Sequence, residues 1–535
     1  MAPDHPRDPE ARTPDRGDSH ETRRSQGRVA VTSEGRSEFG SVAQGAGMSL
    51  AGRVTGSALR YGAILLLARV LGADAFGRYM LGLAAFQLLE LTAALGLPQG
   101  IVQRVSLYRT RQDQRRLKGA LLSAVGVAFG GGLALGLGLL VAAPRIANTL
   151  FFDPALTPVL RAFAVGLPFG AAGLVAARAT TGFQTTRYLV YGRELLHPAV
   201  FVLGVGIFAL IGLTASRAAG AWAAAAAATL LASVAFLIKL APALRDRSID
   251  SIRQSSALVR FSLPLWPAAL ASFALLWTDT FILGYFRSAA DVGIYRAAAQ
   301  TALLLMMILH AFNTIVGPTI AALYQRGDLE QLQRLFRTTA RWSLTLTLPG
   351  FLLVALAGED VLRLFGSAYV SGVVPLMTLA AAQLVNAATG SVGFALIMTG
   401  RTYHHLAGDL ALTVLNVGLN LAFIPQWGLQ GAATATAISL IGVNLVRLVQ
   451  TRRLLDLSPF GRPHLKVLMA GAGSAAVTWG LLALVPEAHF LLRLAAAALT
   501  LILSYGAILV ALGAEAEDYE GLQALRPSWA FRSPK

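Results

Sequence analysis

The chain contains 535 residues, of which 55% are hydrophobic and 14% charged, and its formal net charge is +17. Soluble domains carry about 25% charged residues, so this composition excludes an ordinary soluble fold. The basic residues are scattered through many short loops, which excludes a concentrated nucleic-acid surface, and the lack of cysteine excludes disulfides and thiolate metal sites.

The N-terminal 45 residues are polar, contain several prolines and carry charges of both signs. A segment of this composition cannot bury enough apolar surface to fold, so we predict a disordered cytoplasmic tail. It also lacks the apolar stretch of a signal peptide. A second cytoplasmic tail is predicted at residues 514–535.

Between these tails, apolar runs of about 18–25 residues alternate with short polar breaks, and such runs match the hydrocarbon core of a bilayer. The sequence therefore predicts an all-α polytopic membrane protein. The fourteen predicted spans cover residues 48–71, 79–102, 119–143, 157–181, 189–213, 218–240, 262–285, 295–322, 342–363, 372–398, 405–425, 429–449, 466–486 and 489–513.

The breaks after even-numbered spans are rich in Arg and Lys, whereas those after odd-numbered spans hold one or two basic residues each. Cytoplasmic loops carry the excess of basic residues, so both termini are predicted to lie in the cytoplasm. The expected location is the cytoplasmic (inner) membrane of a bacterial cell.

A short pattern occurs twice, first as Phe76-Gly77-Arg78-Tyr79 and again, much later in the chain, as Val292-Gly293-Ile294-Tyr295. Three further landmarks recur in the same order at similar offsets. We therefore predict two pseudo-symmetric six-helix bundles, at residues 46–240 and 258–450, followed by two additional spans at 465–513. A path between such halves is expected near the bilayer midplane. Each glycine is expected to permit a tight reversal, and each tyrosine to lie at the membrane interface.

Ionisable side chains inside spans are costly, so they are candidates for a site. Arg53 and Arg60 lie seven residues apart on one face of span 1 and suit a phosphate or pyrophosphate group. Arg178, near the cytoplasmic end of span 4, is a third candidate for substrate binding. Extension of Arg53 and Arg178 to the membrane interface is the alternative.

Two carboxylates are candidates for a coupling ion or proton, namely Glu90 in span 2 and Asp279 in span 7. A structural ion pair between Glu90 and Arg60 is the alternative for the first. Either H⁺ or Na⁺ would serve as the coupling ion, because one charge entering per cycle supplies about 2.3 kcal/mol per 100 mV.

Five polar residues in later spans are candidates for a polar cavity, and hydrogen bonding between packed helices is the alternative for all of them. His310 and Asn313 lie one turn apart in span 8. Asp409, Asn416 and Asn420 form one stripe on span 11.

The sequence contains none of the HExxH, Walker A or nucleophile-elbow motifs. We therefore expect a protein that is not an enzyme and that needs no cofactor and no metal.

Three segments carry a resemblance to a known family. They begin at Leu65 ("LLLARVLGADAFGRYMLGLAAFQLLELTAALGLPQGI"), Phe261 ("FSLPLWPAALASFALLWTDTFILGYFRSAADVGIYRAAAQ") and Leu415 ("LNVGLNLAFIPQWGLQGAATATAIS"). Together with the span count they resemble the multidrug/oligosaccharidyl-lipid/polysaccharide exporter superfamily, and within it the O-antigen or polysaccharide flippases. The start of span 1, "GRVTGSALR", is similar to that of lipid II flippases, which implies that Arg53 and Arg60 contact substrate.

The resemblance implies a carrier that moves a polyprenyl-pyrophosphate-linked oligosaccharide to the outer leaflet by alternating access, for surface polysaccharide and lipopolysaccharide O-antigen biosynthesis. Implied partners are the lipid-linked oligosaccharide, membrane lipids, a polysaccharide polymerase and glycosyltransferases, but no nucleic acid. A cation- or proton-coupled drug exporter of the same fold is the first alternative. A membrane polysaccharide polymerase or ligase is the second, although the external loops of about 5–15 residues are short for a catalytic domain.

Overall fold

The computed structural model describes residues 33–513, without the side chains of 33–51, 53, 54 and 315. A compact unit begins at residue 49, and the fold below is that of this unit. The predicted C-terminal tail and positions 1–32 of the predicted N-terminal tail lie outside the described residues. Helix α1 begins at Ser33, within the segment predicted as a tail. The boundary of the tail at residue 45 stays a prediction.

Residues 33–513 contain helices and no strands. The α-helices are α1 (Ser33–Ala94), α2 (Leu97–Thr110), α3 (Gln114–Arg145), α4 (Thr157–Thr181), α5 (Arg187–Leu189), α6 (His197–Leu210), α7 (Ala215–Leu240), α8 (Ser255–Ser262), α9 (Trp266–Phe286), α10 (Ala289–Arg326), α11 (Leu329–Arg363), α12 (Val373–Thr389), α13 (Val392–Met398), α14 (Thr402–Leu455), α15 (Pro463–Leu484) and α16 (Phe490–Ala511).

Twelve helical segments of the described region are long and apolar enough to cross a bilayer. Two of them, Thr55–Thr110 and Thr402–Leu455, are 56 and 54 residues long, about twice the length that one crossing needs. The backbone leaves the helical conformation within each, at Gly72 and Gly428. Each can therefore supply two spans, which accounts for the fourteen predicted spans and confirms the multi-pass, all-α class.

The reversal between the first two spans occurs at Gly72, where φ is 74° and ψ is 169°. The prediction that Gly77 forms this turn is wrong, because Gly77 lies inside the helix that follows. Gly293 likewise lies inside α10, whose first turn is capped by Ser288. Gly72 is the residue that tolerates the left-handed backbone required here, since its lack of a Cβ removes the steric penalty.

The two glycines of the repeated pattern instead pack against each other's helix. A Cβ at Gly77 would collide with the carbonyl of Ala289, and a Cβ at Gly293 would collide with the carbonyl of Ala73. Ala73 and Gly77 in the first half correspond to Ala289 and Gly293 in the second half. The glycine of each half therefore contacts the alanine of the other half. Such reciprocity is the signature of a two-fold relation between two surfaces, and here it occurs within one chain.

The two tyrosines of the pattern are buried, so the prediction of an interfacial position is wrong. Tyr79 is 2% exposed and packs against the rings of Phe163 and Phe201. Tyr295 is fully buried. The shift of the reversal to Gly72 carries Tyr79 two helical turns into the protein, where its ring contributes to the core.

Further contacts join the two halves on the side of the membrane that is predicted, from the distribution of Arg and Lys, to face the exterior. The Arg69 guanidinium donates to the carbonyl of Leu364 over 3.0 Å, and the Tyr369 hydroxyl donates to the carbonyl of Ala68 over 3.0 Å. The ring of Phe76 packs edge-on against Tyr369. These contacts hold the first reversal of the chain against the second half.

Small residues set the closest helix packing. In the first half, α4 packs against α3 and against the alanine-rich α7. In the second half, α12 packs against α10, α11 and α14, and α14 also packs against α9, while α15 and α16 pack together and against α11. Helices rich in Gly and Ala approach closely within membranes because no large side chain separates their backbones.

Candidate functional site

Two adjoining cavities meet at Arg60. The larger, of about 320 Å³, is bordered by α1, α6 and α7 from the first half and by α9 and α10 from the second. The smaller, of about 200 Å³, lies within the first half. Four side chains line both cavities, namely Arg60, Gln87, His197 and Trp222. The larger cavity is thus bordered by both halves, as expected for a path between them.

Arg60 is held from two directions. Its Nη1 lies 2.9 Å from Oε2 of Glu194, and its Nη2 donates to the Ser57 hydroxyl over 3.1 Å. The partner of Arg60 is thus Glu194, and not Glu90, which the sequence offered as the alternative. The side chain of Arg60 is 41% exposed, so the guanidinium is anchored yet open to the cavity.

Local sequence explains how Glu194 reaches Arg60. Pro198 lacks an N–H and cannot bond the carbonyl four residues earlier, which is that of Glu194. The chain widens into a π-helical turn at Val190–Leu196, a feature frequent at functional sites. Gly56 has no side chain and lies against the backbone of Glu194. Arg60 follows Gly56 by one turn on the same face, so its guanidinium meets the carboxylate.

Other ionisable groups surround the smaller cavity. Glu90 is buried at 9% exposure and borders this cavity together with Arg193 and His197. Glu90 therefore lies at the predicted cavity, which it shares with Arg60 of α1 and with Arg193 of the turn before α6. The two arginines and two glutamates of this region nearly balance in charge, so the cavity contains positive groups without a large net positive charge.

Trp222 contributes an unused hydrogen-bond donor. Its indole Nε1 is buried and has no hydrogen-bond partner among the described residues. Its ring packs edge-on against His197 with the centroids 4.5 Å apart. A buried donor without a partner is unusual in a folded protein, and this one belongs to a residue that lines both cavities.

The second half contains a buried polar network around Asp279, which is 5% exposed. The Tyr295 hydroxyl donates to Asp279 Oδ2 over 2.5 Å, and the Thr280 hydroxyl donates to Oδ1 over 3.0 Å. Arg296 donates to the carbonyl of Leu276 over 3.1 Å, and its guanidinium lies 4.0 Å from the ring centre of Trp277. Trp277 lines the larger cavity and thus separates it from Arg296.

Two residues of the predicted stripe on span 11 continue this network. The Tyr295 hydroxyl is hydrogen-bonded to Thr436, whose Oγ1 accepts from the Asn416 amide over 3.4 Å. The Asn420 amide donates to Asn416 Oδ1 over 3.0 Å. The break at Gly428 divides α14 into two arms, residues 402–427 and 429–455. Asn416 and Asn420 are buried on the first arm, and the hydrogen bonds of Asn416 and Tyr295 with Thr436 of the second arm link both arms to α9 and α10.

Asp409, the third residue of the stripe, belongs to a different cluster. Its carboxylate forms an ion pair with Arg447 and lies 3.4 Å from Nε2 of His405. It therefore links the two arms of α14 and does not line either cavity. Within residues 33–513, no group of three or more acidic or histidine side chains is arranged to hold a metal ion.

The remaining candidates lie apart from the two cavities. Arg178 is exposed in the last turn of α4. On α10, His310 is exposed and Asn313 is half-buried. The side chain of Arg53 lies outside the described residues.

Sequence reasoning missed Arg193, Glu194 and His197, which approach the cavity from the start of span 5. A signal was present, because three ionisable residues within five positions of one span are unusual. Their position at the predicted cytoplasmic end of the span made them resemble ordinary interface residues. Arg296 was missed for the same reason, since the predicted span began one residue before it, whereas α10 begins at Ala289.

Comparison with known sequences gives one family and several relatives. The profile of the family described as "Polysaccharide biosynthesis protein" matches residues 42–324, just over half of the chain. A probable flippase of Haloferax volcanii, AglR, is 32% identical over 181 residues, which cover 33% of this chain and 37% of the relative. The chain thus spans well under half the length of this curated relative.

Two solved structures share the fold. The lipid II flippase MurJ, in an inward closed conformation, has a TM-score of 0.65 and 12% identity, covering 87% of this chain and 99% of that chain. An inward-facing multidrug resistance MATE transporter of the MOP superfamily has a TM-score of 0.62 and 15% identity, covering 75% and 94%. These likenesses show that the chain has the same fold as these two transporters.

Proposed function

Because the chain belongs to the polysaccharide biosynthesis protein family, we propose that it is a transporter of lipid-linked glycan precursors. It moves a polyprenyl-pyrophosphate-linked oligosaccharide from the cytoplasmic to the outer leaflet by alternating access. The observation that carries the proposal is the cavity between the halves, with the guanidinium of Arg60 open to it.

The chemistry of the cavity suits the two parts of such a substrate. Arg60, together with Arg193 and the Trp222 N–H, offers donors and positive charge to the pyrophosphate. Apolar side chains of α10, among them Leu303, Leu304 and Met307, border the larger cavity on the side of the second half. A wall of this kind tolerates an isoprenoid chain because it is mostly apolar, with Gln300 as its polar side chain.

The second half supplies the proposed coupling site. Asp279 is a buried acid that accepts three hydrogen bonds, from the Tyr295 hydroxyl and from the backbone and hydroxyl of Thr280. Binding of H⁺ or Na⁺ there would alter contacts among α9, α10 and α14. Glu90 is the second candidate, within the cavity itself.

The proposal also covers orientation and partners. Both termini lie in the cytoplasm, the protein resides in the cytoplasmic membrane, and it acts without catalysing a reaction. Glycosyltransferases supply the substrate, and a polysaccharide polymerase or ligase uses the product. Export of a cationic small molecule is the alternative, favoured by the carboxylates of Glu90 and Glu194 at or beside the cavity.

Reconstitution into liposomes tests the proposal. A polyprenyl-pyrophosphate-linked oligosaccharide with a fluorescent sugar is placed in both leaflets, and its exposure to an impermeant quencher is followed. We expect the purified protein to accelerate movement between leaflets. No acceleration, combined with efflux of a cationic dye by the same vesicles, would favour the alternative.

A further inference from the structure

The ion pair between Arg60 and Glu194 joins residues 134 positions apart in the chain. Arg60 is the guanidinium that the proposed function assigns to the pyrophosphate, yet it is already neutralised by a carboxylate over 2.9 Å. Both terminal nitrogens of its guanidinium are engaged, one by Glu194 and one by Ser57. A phosphate that binds Arg60 through the two N–H groups now donated to Glu194 and Ser57 must displace these partners.

Glu194 has room to move away. Its side chain is 22% exposed, and the adjacent Arg193 lines the smaller cavity. Its backbone is fixed against Gly56 in the π-helical turn. The carboxylate can therefore exchange partners by side-chain rotation, while the helix that bears it remains in place.

We infer that Glu194 is a specificity and release residue, which competes with the phosphate of the substrate for Arg60. This inference rests on the proposed function. The carboxylate pairs with Arg60 when no anion is bound. The more highly charged pyrophosphate displaces it, and the carboxylate pairs with Arg60 again when the substrate leaves. The competing carboxylate also disfavours weakly charged ligands, which cannot displace it.

The physical basis is the cost of an unpaired guanidinium within the membrane. A cation there needs a partner at every stage of the cycle. Without Glu194, departure of the substrate leaves Arg60 unpaired, so release slows. When Glu194 is present, it replaces the departing pyrophosphate as the partner of Arg60, so the positive charge of the guanidinium stays paired.

A purely structural ion pair predicts the opposite effect on binding. If Glu194 only orients Arg60, then Glu194→Gln leaves the guanidinium misplaced and weakens the binding of anions. If Glu194 competes, the same change removes the competitor and strengthens binding. The sign of the change in affinity therefore separates the two roles.

The experiment measures the binding of geranylgeranyl pyrophosphate to the purified full-length protein in detergent, and lipid transport in liposomes. We expect Glu194→Gln to bind the probe about tenfold more tightly than the wild type, which corresponds to about 1.4 kcal/mol. Transport should slow, because tighter binding within one site acts mainly through slower dissociation. Arg60→Ala combined with Glu194→Gln should bind weakly.

Glu330→Gln is the matched control, since Glu330 pairs with Arg334 over 3.5 Å on an exposed helix face away from the cavities. It should match the wild type in both measurements. Glu194→Ala serves as a second variant, should Glu194→Gln fail to purify as a single species.

Binding of the probe by Glu194→Gln that is equal to or weaker than that of the wild type overturns the inference and leaves the proposed function intact. Tighter binding with unchanged transport also overturns it. If the wild type neither binds the probe nor transports the lipid, the proposed function itself fails.

Discussion

Three pairs of positions are equivalent in the two halves at the offset of the repeated pattern, and two of these pairs differ in chemistry, while the third is tyrosine in both halves. Ala63, Tyr79 and Met80 in the first half correspond to Asp279, Tyr295 and Arg296 in the second. Tyr79 and Met80 line the larger cavity, whereas the second-half residues form a buried network whose hydrogen bonds stay inside the protein.

This difference shows that two halves with the same backbone arrangement can place their charged side chains in different surroundings. The backbone contact at the glycines is reciprocal, and both tyrosines are buried. The charges, however, lie beside a cavity in one half and are enclosed among protein groups in the other. Under the proposed function, the first half binds the headgroup and the second half responds to the coupling ion.

The largest expected effect comes from Arg60→Ala. The change removes the guanidinium that the proposed function assigns to the pyrophosphate and leaves Glu194 without its cation. We expect export of surface glycan to fall to background while the protein remains in the membrane, as measured by glycan staining and membrane immunoblots. Arg334→Ala, on an exposed face, is the control. Normal glycan in the Arg60→Ala strain would remove Arg60 from the site.

A smaller effect is expected from Asp279→Asn in the second half. Hydrogen bonds to a charged group contribute about 1.5–3 kcal/mol, so transport should fall about tenfold or more. Transport in liposomes is measured across a range of pH and sodium concentration. Asp360→Asn removes another buried carboxylate, which is paired with Arg363, and should not change the dependence on either ion. If Asp279→Asn transports normally under all conditions, Asp279 is structural.

Gly77→Val tests whether the contact between the halves needs a bare backbone. The added side chain meets the carbonyl of Ala289, and overpacking of this kind costs about 1–3 kcal/mol. Thermal unfolding in detergent should shift downwards, and transport should decline. Gly62→Val is the matched control, because a Cβ at Gly62 has no neighbouring atom within 4 Å. Equal behaviour of the two variants would show that the close approach is not needed.

Trp222→Phe should have the smallest effect. The change keeps an aromatic ring between the two cavities but removes the unpaired indole N–H. One hydrogen bond contributes about 1 kcal/mol, so the lipid concentration for half-maximal transport should rise about fivefold. Trp479→Phe, at a position 67% exposed, provides the comparison. Should both variants leave this concentration unchanged, the indole N–H does not contact the substrate.

Sequence patterns predicted the membrane class and the number of spans well, because long apolar runs have few alternatives in a chain of this composition. The repeated Gly and Tyr were also found, but their position was misjudged by several residues. Phe76 to Tyr79 were placed in the turn because Gly commonly marks reversals, whereas Gly72 makes this one.

The candidate site was predicted less completely. Arg60, Glu90 and Asp279 were identified because an ionisable group in an apolar run is conspicuous. The partners of Arg60 and Asp279, which are Glu194 and Tyr295, lie 134 and 16 residues away. Nothing in the periodicity of a single span specifies which side chain of another span lies opposite, so these pairs required the three-dimensional structure.

The reciprocal contact of Gly77 and Gly293 has a consequence for the cost of separating the halves. Two glycines with two alanine carbonyls bring backbones very close but bury little apolar side-chain surface, and dispersion energy grows with the number of atoms in contact. A contact of this kind excludes water efficiently while adhering weakly. The glycine contact itself therefore adds little to the free energy of separating the halves, and the aromatic packing of Phe76 against Tyr369 beside it contributes more.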